Sequence, residues 1–455
     1  MTETPVLIVG AGPGGLTAAA TLARYGIDFL LVERRAELSS LPRATGVSTR
    51  TMELMRSFGI EDEVRAGGDE IEWLQWFCES MTRADAGRGA PTGFPSREQC
   101  LLISPTSPAC VPQDHLEPVL LDYIRSLGVG RVELGTELTG IEQRPDGVHA
   151  YLGDTSIDAQ YLIAADGAHS RIRHSLGIEM RGPDNLLGAV SALFRAPLWE
   201  LVGEHRYGIY IVTNPDAEGV MLPAGGGDRW LYGVTHEPGS PLANLTEADM
   251  AARIELAAGV PGLEPRIERV GGFTFAAKMA DRYREGNAFL IGDAAHRATP
   301  RGGTGMNTAI HDGFDLGWKL AWALRGWGDD DLLDSYERER RPVADHNVRR
   351  SAEPMGSSHE SGHALAADLG GRIPHAWVDG PGHRVSTLDL LGQGYTLFCG
   401  PECDYCEVPA RVPVTARRLD LITARALGIG TSGALLVRPD GVPATPSAQE
   451  LRAAA

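Results

Sequence analysis

The sequence is short of cysteine, of cations and of long apolar runs, and each shortage excludes something. Six cysteines scattered over 455 residues make no disulfide framework, so Cys78, Cys100, Cys110, Cys399, Cys403 and Cys406 read as reduced thiols of a cytoplasmic protein. The 42 Lys and Arg against 60 Asp and Glu leave a formal net charge of −18. That sign argues against a nucleic-acid partner, because a phosphate backbone selects for cations, and it serves solubility. No apolar stretch is long enough to span a bilayer, so no membrane role is expected. The opening MTETPVLIVGAG goes straight into a strand-like run, without the basic region and cleavage site of a signal peptide. No internal repeat is visible, and the oligomeric state is not legible.

What is present is an ordinary globular composition, 43% hydrophobic and 22% charged, at a length that suggests two or three domains. Residues 5–9 read as a buried parallel strand, LTAAATLARYG as a helix stopped by glycine, and FLLVER as a second strand ending at Glu33. This is a β–α–β unit. Residues 46–66 and 113–127 read as helices, the second with Leu116, Leu120, Tyr123 and Ile124 on one stripe. Between them, 71–112 is irregular and rich in Trp, Pro and Gly, as if the chain leaves the first domain and returns. Residues 132–165 alternate like antiparallel strands, and 186–276 hold the short runs of a second, mostly antiparallel sheet. AFLIGD returns to the parallel pattern, with a helix expected from Ala294 and a long one through HDGFDLGWKLAWALRG. A charged helix follows, in which ERERR (337–341) reads as a solvated face with i,i+4 pairing. Residues 354–375 read as a linker and the tail as a small α/β unit whose last fifteen residues are loose.

Three elements carry chemistry. The first is Gly10-Ala-Gly12-Pro13-Gly14-Gly15 between strand and helix. Gly10 permits the tight turn, Gly12 lets backbone approach a pyrophosphate, Gly15 lets helix pack on sheet, and the helix N-terminus favours the phosphates. Glu33, at the end of the second strand, is placed to accept hydrogen bonds from a ribose. This motif alone leaves NAD and FAD both open. The second is IGDAAHRATPRGGTGMN (291–307). Asp293 is a receiver for ribose or ribityl hydroxyls, and Gly302, Gly303 and Gly305 form backbone bare enough for a flat isoalloxazine ring. The N–H groups near Met306 and Asn307 aim at the polar edge of that ring. A glycine loop that merely connects strand to helix explains the glycines but not the aspartate before them. The third is YLIAADGAHSR, with Asp166-Gly167 at a strand end and Arg171 and Arg173 behind it to neutralise phosphates.

In this order the elements resemble the group A flavoprotein monooxygenases, the single-component aromatic hydroxylases of the para-hydroxybenzoate hydroxylase fold. The matching residues are GAGPGG (10–15), Glu33-Arg34, PRA (42–44), VPQDHLE (111–117), AADGAHS (164–170) and GDAAH…GGTGMN (292–307). The overall look is similar to actinomycete polyketide and indole-alkaloid tailoring oxygenases. The resemblance implies an α/β FAD-binding Rossmann-like domain (1–70, 100–178 and 277–353) with an inserted, mostly antiparallel substrate-binding domain (71–99 and 179–276). A small thioredoxin-like C-terminal unit (374–455) completes it. It implies that Glu33, Arg34, Arg43, Gln113, Asp166 and Asp293 contact FAD, with Leu138 near the adenine and Pro300, Gly303, Gly305, Met306 and Asn307 near the flavin. NAD(P)H would bind transiently, since no second G-x-G-x-x-G is present. Two departures stand out. Thr299 replaces the first of two prolines usual after GDAAH, and no aromatic residue follows the VRPDG strand.

The implied reaction is hydroxylation of an aromatic, polycyclic small molecule, with O2 adding at the flavin C4a position to give a hydroperoxide. A base would help a phenolic substrate. If WLYGVTHE is a strand, Trp230, Tyr232, Val234 and His236 share a face. His236 is then the candidate base, more often a surface residue, and Trp230 and Tyr232 are candidate pocket walls. Trp73 and Trp76 either stack on a polycyclic ligand or pack. Phe194, Tyr207, Tyr210, Phe273 and Phe275 are core fillers first. Cys403 and Cys406 read as structural, and with no further ligands suitably spaced no metal is expected. His311 and Asp312 read as capping or packing. Baeyer–Villiger insertion or oxidative decarboxylation stays open in the same fold. A flavin-dependent halogenase is disfavoured because WLQW lacks the W-x-W-x-I-P spacing, and a NAD-dependent dehydrogenase is disfavoured by Gly292-Asp293.

Overall fold

A strand that holds a run of consecutive apolar residues, such as PVLIV (5–9), is stable only if both faces of that run are covered. In the computed structural model, which describes residues 2–237, 239–358, 361–379, 384–404 and 411–444, the first strand (Thr2–Val9) meets that demand. Val6, Leu7 and Ile8 are fully buried. The strand pairs in parallel with Phe29–Glu33 on one side and Thr155–Ala164 on the other. Ala288–Leu290 extends the sheet beyond Thr155–Ala164, and Arg131–Leu134 extends it beyond Phe29–Glu33, both in parallel. The register matters more than the count. Val9 stands beside Val32 and Ala164, and Ala164 beside Leu290. Gly10, Glu33, Asp166 and Gly292-Asp293 therefore all leave the sheet at the same edge, where parallel sheets bind ligands.

Two helices start at that edge, Pro13–Arg24 and Gly305–Leu324. They approach so closely that a Cβ on Gly313 would lie 2.2 Å from the Gly14 carbonyl oxygen, and one on Gly317 would lie 2.8 Å from the Thr21 Cβ. Glycine is required here by contact rather than by backbone angle, and the contact sets the N-terminus of Pro13–Arg24 against Ala309 and Gly313, the second and third turns of Gly305–Leu324.

A second sheet runs in the order Arg266–Thr274, Gly188–Arg195, Arg229–His236, Gly219–Pro223, Tyr207–Val212, Glu72–Cys78, Arg88–Pro91. All its pairings are antiparallel except Glu72–Cys78 with Tyr207–Val212. Strands from 71–99 and from 179–276 thus share one sheet. The C-terminal residues form a three-stranded sheet with Tyr395–Cys399 in the centre, Val414–Arg418 parallel to it and Ala434–Val437 antiparallel.

Several expectations are corrected. Residues 46–66 are not one helix. Gly46–Val47 is a short strand, the Ser48 side chain caps Thr49–Phe58, and Gly59 in the left-handed region ends that helix before Glu61–Arg65. No helix starts at Ala294. Gly292–Ala294 is one 3-10 turn, after which His296–Arg297 pairs with Lys278–Met279, and the helix begins at Gly305. The linker holds a helix, Ser361–Leu369. The ERERR face is solvated only in part. Glu337 and Arg341 pair at i,i+4, but Arg340 is buried and Glu339 bonds Lys319 and Arg438. Of the tail expected to be loose, Gly441–Ala444 is tied down, with Ala444 N donating to the Leu436 carbonyl, and 445–455 lie outside the described residues. Cys406 also lies outside them, and the five described cysteines are buried. No helix among the described residues is long and apolar enough to cross a membrane.

The acidic trio Asp315, Glu339 and Asp440 converges closely enough to hold a cation. Lys319 Nζ already fills that role, 2.7 Å from Asp315 and 2.9 Å from Glu339, and Arg438 bridges Glu339 to Asp440. These pairs tie the C-terminal sheet to the helices behind the parallel sheet.

Replacing Gly313 by valine forces the two helices apart. We expect a stability loss of about 1–3 kcal/mol, the cost of overpacking a tight contact, measured as a lower Tm than wild type.

Candidate active site

The four strand ends and two helix N-termini open onto one cleft of about 630 Å³, within the ~300–1,000 Å³ range of small-molecule sites. Gly10, Gly12, Pro13, Gly14 and Gly15 form one end of it. A Cβ on Gly10 would meet the Ala165 carbonyl oxygen at 2.2 Å, and φ there is +111°, so the turn admits only glycine. Gly12 is different. Nothing lies within 4 Å of where its Cβ would be, so the space above it belongs to the cleft.

Glu33 is buried at the next strand end. Its Oε2 accepts from Ala11 N at 3.1 Å, and its Oε1 accepts from Arg35 N at 3.0 Å and Arg35 Nε at 3.1 Å. Burial pushes this carboxyl up, but the backbone donors and Arg35 outweigh it and hold it below the usual carboxylate range. It stands as an anion with lone pairs to spare. Arg34, Arg43, Gln113 and Leu138 line the same end. Gln113 Nε2 donates to Glu117 at 2.7 Å, and burial raises the Glu117 carboxyl. Arg171 lines the cleft and pairs with Glu137, whereas Arg173 turns away and donates to the Ala294 carbonyl at 3.0 Å.

Two carboxylates face the cleft with acceptor capacity unused. Asp166 takes one hydrogen bond, from Ile172 N on Oδ2 at 3.3 Å, and its buried Oδ1 has no partner. Asp293 sits deep in the molecule yet is exposed to the cleft. Beneath it Asp312, fully buried, holds the turn. Its Oδ2 accepts from Gly292 N at 3.1 Å and from His296 Nε2 at 2.6 Å, and its Oδ1 from Arg340 Nε at 2.9 Å. Burial alone would raise its carboxyl, but the charges of His296 and Arg340 hold it down to about 2. Asp312 and His296 are thus packed as an ionic hydrogen-bond centre, which their positions in sequence did not reveal.

The floor is Pro300, Gly302, Gly303, Gly305 and Met306. Thr299 gives the departure from the family pattern a physical use. Its N donates to Ser351 Oγ at 3.0 Å and its hydroxyl to the Ser351 carbonyl at 2.6 Å, and a proline could make neither bond. Asn307 does not line the cleft. Its Nδ2 donates to the carbonyls of Gly46 at 2.9 Å and Gly303 at 3.0 Å, so it staples two cleft-lining segments from behind.

The far wall comes from the second sheet: Trp73, Gly208, Ile209 and Leu222, with Thr92 and Phe94 from the returning segment. Trp73 and Phe94 lie 4.5 Å apart between ring centroids. Trp230 and Tyr232 are not in it. They do share a face, as expected, but the opposite one. Tyr232 is paired with Met221 and both are fully buried, whereas cleft-lining Leu222 is paired with Leu231. Trp230 packs on Trp199, and the Tyr232 hydroxyl donates to the Ala217 carbonyl at 2.8 Å. His236 is half-buried at a strand end away from the cleft, its Nδ1 against the Glu237 carbonyl. Trp76 stacks on Tyr207. Phe194, Tyr210 and Phe275 are buried as core residues, but Phe273 is 46% exposed. Phe94, Ile209, Leu222 and Ser357 also line the cleft without having been singled out; the first three look like any core residue in sequence, and Ser357 falls in the apparent linker.

Open space over Gly12, two acidic groups with unused acceptors, paired helix N-termini and a bare glycine floor fit a dinucleotide carrying a flat ring. Fold and cleft together define an FAD-binding oxidoreductase. The chain matches the family model for the FAD binding domain over residues 3–351 and that for the aromatic-ring hydroxylase C-terminal region over 366–454. It belongs to the FAD-dependent aromatic-ring hydroxylases and is a flavin-dependent monooxygenase that uses FAD, NAD(P)H and O2. It is 35% identical to a putative polyketide hydroxylase of Streptomyces halstedii, over 96% of this chain and 92% of that one. It is also 35% identical to an aklavinone 12-hydroxylase of Streptomyces purpurascens, over 97% and 94%. Among solved structures, the ternary complex of aklavinone-11 hydroxylase with FAD and aklavinone superposes with a TM-score of 0.87 at 34% identity, covering 98% and 96%.

Because a Cβ on Gly12 meets only the cleft, Gly12→Ala separates folding from binding. The apoprotein should keep its Tm to within about 0.5 kcal/mol of stability, while FAD affinity, measured by quenching of flavin fluorescence, should fall at least about tenfold.

Proposed function

We propose that this chain hydroxylates a polycyclic aromatic compound of polyketide type, held in the slot between Trp73–Phe94 and the Pro300–Gly303 floor. The observation that carries this is the chemistry of the wall. Trp73, Thr92, Phe94, Gly208, Ile209 and Leu222 include no ionisable side chain. The Thr92 hydroxyl is committed, donating to the Trp73 carbonyl and accepting from Phe94 N. Such a wall suits a large flat apolar ligand and offers it stacking rather than ion pairs. It supplies no base, so activation of the ring rests on hydroxyl groups that the substrate brings. The names of similar proteins, which are hydroxylases and monooxygenases, favour this over Baeyer–Villiger insertion, decarboxylation or halogenation.

FAD, when bound, supplies the redox chemistry that activates O2. The chain's residues do the rest. Glu33 would take the ribose of the nucleotide, Asp166 and Asp293 would accept from its remaining hydroxyls, and the helix N-termini would favour its phosphates. Arg34, Arg43, Gln113 and Leu138 flank the adenosine and phosphate end. Pro300, Gly303, Gly305 and Met306 hold the flat ring against the slot, and the aromatic pair excludes water from the reacting centre. On this reading 1–70, 100–178 and 277–353 form the cofactor domain, 71–99 and 179–276 the substrate domain, and 374–455 a thioredoxin-like unit, the last supported by its mixed three-stranded sheet. The sparse, scattered cysteines fit a cytoplasmic enzyme.

The purified protein should be yellow, and anthracyclinone- or naphthacene-type polyphenols should stimulate its NADH or NADPH oxidation with one atom of 18O2 entering the product. Trp73→Ala should raise KM about 10-fold or more, the order expected from one lost stacking contact. Turnover with polyphenols that yields only hydrogen peroxide, at the rate seen without them, would sink the substrate reading.

A further inference from the structure

The helix Ser361–Leu369 lies in a stretch whose sequence reads as a linker, yet one of its side chains reaches the back of the flavin floor. Asp368 is half-buried, with both carboxylate oxygens turned inward. Its Oδ1 accepts from Ser48 Oγ at 2.6 Å and its Oδ2 from Arg50 N at 3.1 Å. Because the Ser48 hydroxyl proton is spent on Asp368, the oxygen lone pairs stay free to cap the helix at Thr51 N. Ser48 N and Thr51 Oγ1 then both donate to Asn307 Oδ1, each at 2.8 Å. Two donors on one oxygen settle which way the amide points. Its Nδ2 is left facing the Gly46 and Gly303 carbonyls. Gly46 and Gly303 both line the cleft, from different segments of the chain.

We propose that Asp368 is a positioning residue for the cofactor site: by accepting from the Ser48 hydroxyl and Arg50 N it fixes the start of the helix Thr49–Phe58, whose Ser48 N and Thr51 hydroxyl lock Asn307, and Asn307 holds the Gly46 and Gly303 walls at the spacing the flat ring requires. The C-terminal part of the chain thereby completes a site otherwise lined by residues up to Ser357. The inference rests on FAD occupying the cleft and is independent of which substrate is hydroxylated.

The surroundings are consistent with a group kept for this task. Asp368 borders a small cavity of about 40 Å³, room for one water, lined also by His311, Asn347 and Arg350. The charged and titratable groups facing it are Arg50 and Glu53 from the helix Thr49–Phe58, His311 from Gly305–Leu324, and Arg350 from Asp330–Ala352. Burial pushes His311 well below its usual range, so it stands neutral, with Nε2 3.0 Å from Thr51 Oγ1. Burial pushes the Asp368 carboxyl up to about 6 despite its two donors. A carboxyl raised by folding stabilises the fold in its protonated form. That contribution is complete below the unfolded value and is lost as pH rises through about 6. At neutral pH the ionised carboxylate therefore weakens the fold while ordering the site.

This opposition supplies the test. Asp368→Asn keeps one acceptor and turns an amide N–H toward either Ser48 or Arg50, which breaks the relay. Measured on the full-length apoprotein by flavin fluorescence between pH 5 and 8, wild-type FAD affinity should fall severalfold as pH drops through about 6. D368N should bind FAD about tenfold more weakly at pH 8, with no inflection near pH 6, while its Tm at pH 8 equals or exceeds that of wild type. Ser48→Ala, which leaves the carboxylate in place, should also weaken FAD binding. The proposal is overturned if D368N binds FAD as wild type does, if it keeps the inflection, or if its lost affinity comes with a lowered Tm. Failure to turn over any polyphenol leaves these readouts intact.

Discussion

The structure depends on one close approach. Gly14 and Gly313 pack so that the carbonyl of one occupies the place of a side chain on the other. That contact sets the start of Pro13–Arg24 against the early turns of Gly305–Leu324, so that both helices open onto the edge where the parallel strands end. Each N-terminus alone is a weak attraction for an anion; together, with Glu33 and Asp293 on either flank, they define a line along which a long dinucleotide can lie. Strand register does much of the remaining work, because parallel pairing brings Gly10, Glu33, Asp166 and Asp293 to one edge of the sheet.

Charge inside the fold follows the same logic. Asp312 is wholly buried, and an isolated carboxylate there would be strongly disfavoured. It is tolerated because His296, Arg340 and the Gly292 amide satisfy it, and its service is to fix the turn that carries Asp293. Lys319, fully buried among Asp315 and Glu339, does for the C-terminal sheet what Asp312 does for the turn. Buried ion pairs of this kind add little net stability but penalise any arrangement that separates the partners. They specify where segments sit, which is what a site assembled from distant parts of a chain needs.

The cofactor half was legible in sequence and the substrate half only at Trp73, for a physical reason. A backbone that must turn tightly or touch a ligand demands glycine, and an acceptor for hydroxyls demands a carboxylate, so Gly10, Gly12, Glu33 and Asp293 announce themselves. A pocket wall makes no such demand. Alternation in WLYGVTHE correctly put Trp230 and Tyr232 on one face, but that face is the core side of the sheet, and the cleft is reached on the other side through Leu222 of the neighbouring strand. Period alone does not say which, and the larger residues went to the core. The helix expected at Ala294 failed because His296–Arg297 found a strand partner, a tertiary contact invisible locally. Ser361–Leu369 was hidden by the Gly, Ser and His around it.

That last omission bears on how the C-terminal part is understood. Its own cluster, with Phe398, Leu419 and Val437 buried together, gives it a core independent of the cleft. A unit attached only for stability would need nothing more than apolar contact and the Lys319–Glu339–Arg438 pairs. The chain also spends polar residues on it: Arg372 makes a bidentate, buried pair with Glu53, and Arg50 donates to the Asp440 carbonyl. Glu53, Arg50 and Ser48 all belong to the one helix, with its cap, whose start is bonded to Asn307. Polar contacts from the tail therefore concentrate on the single element that backs the flavin floor, and a purely structural attachment gives no reason for that concentration.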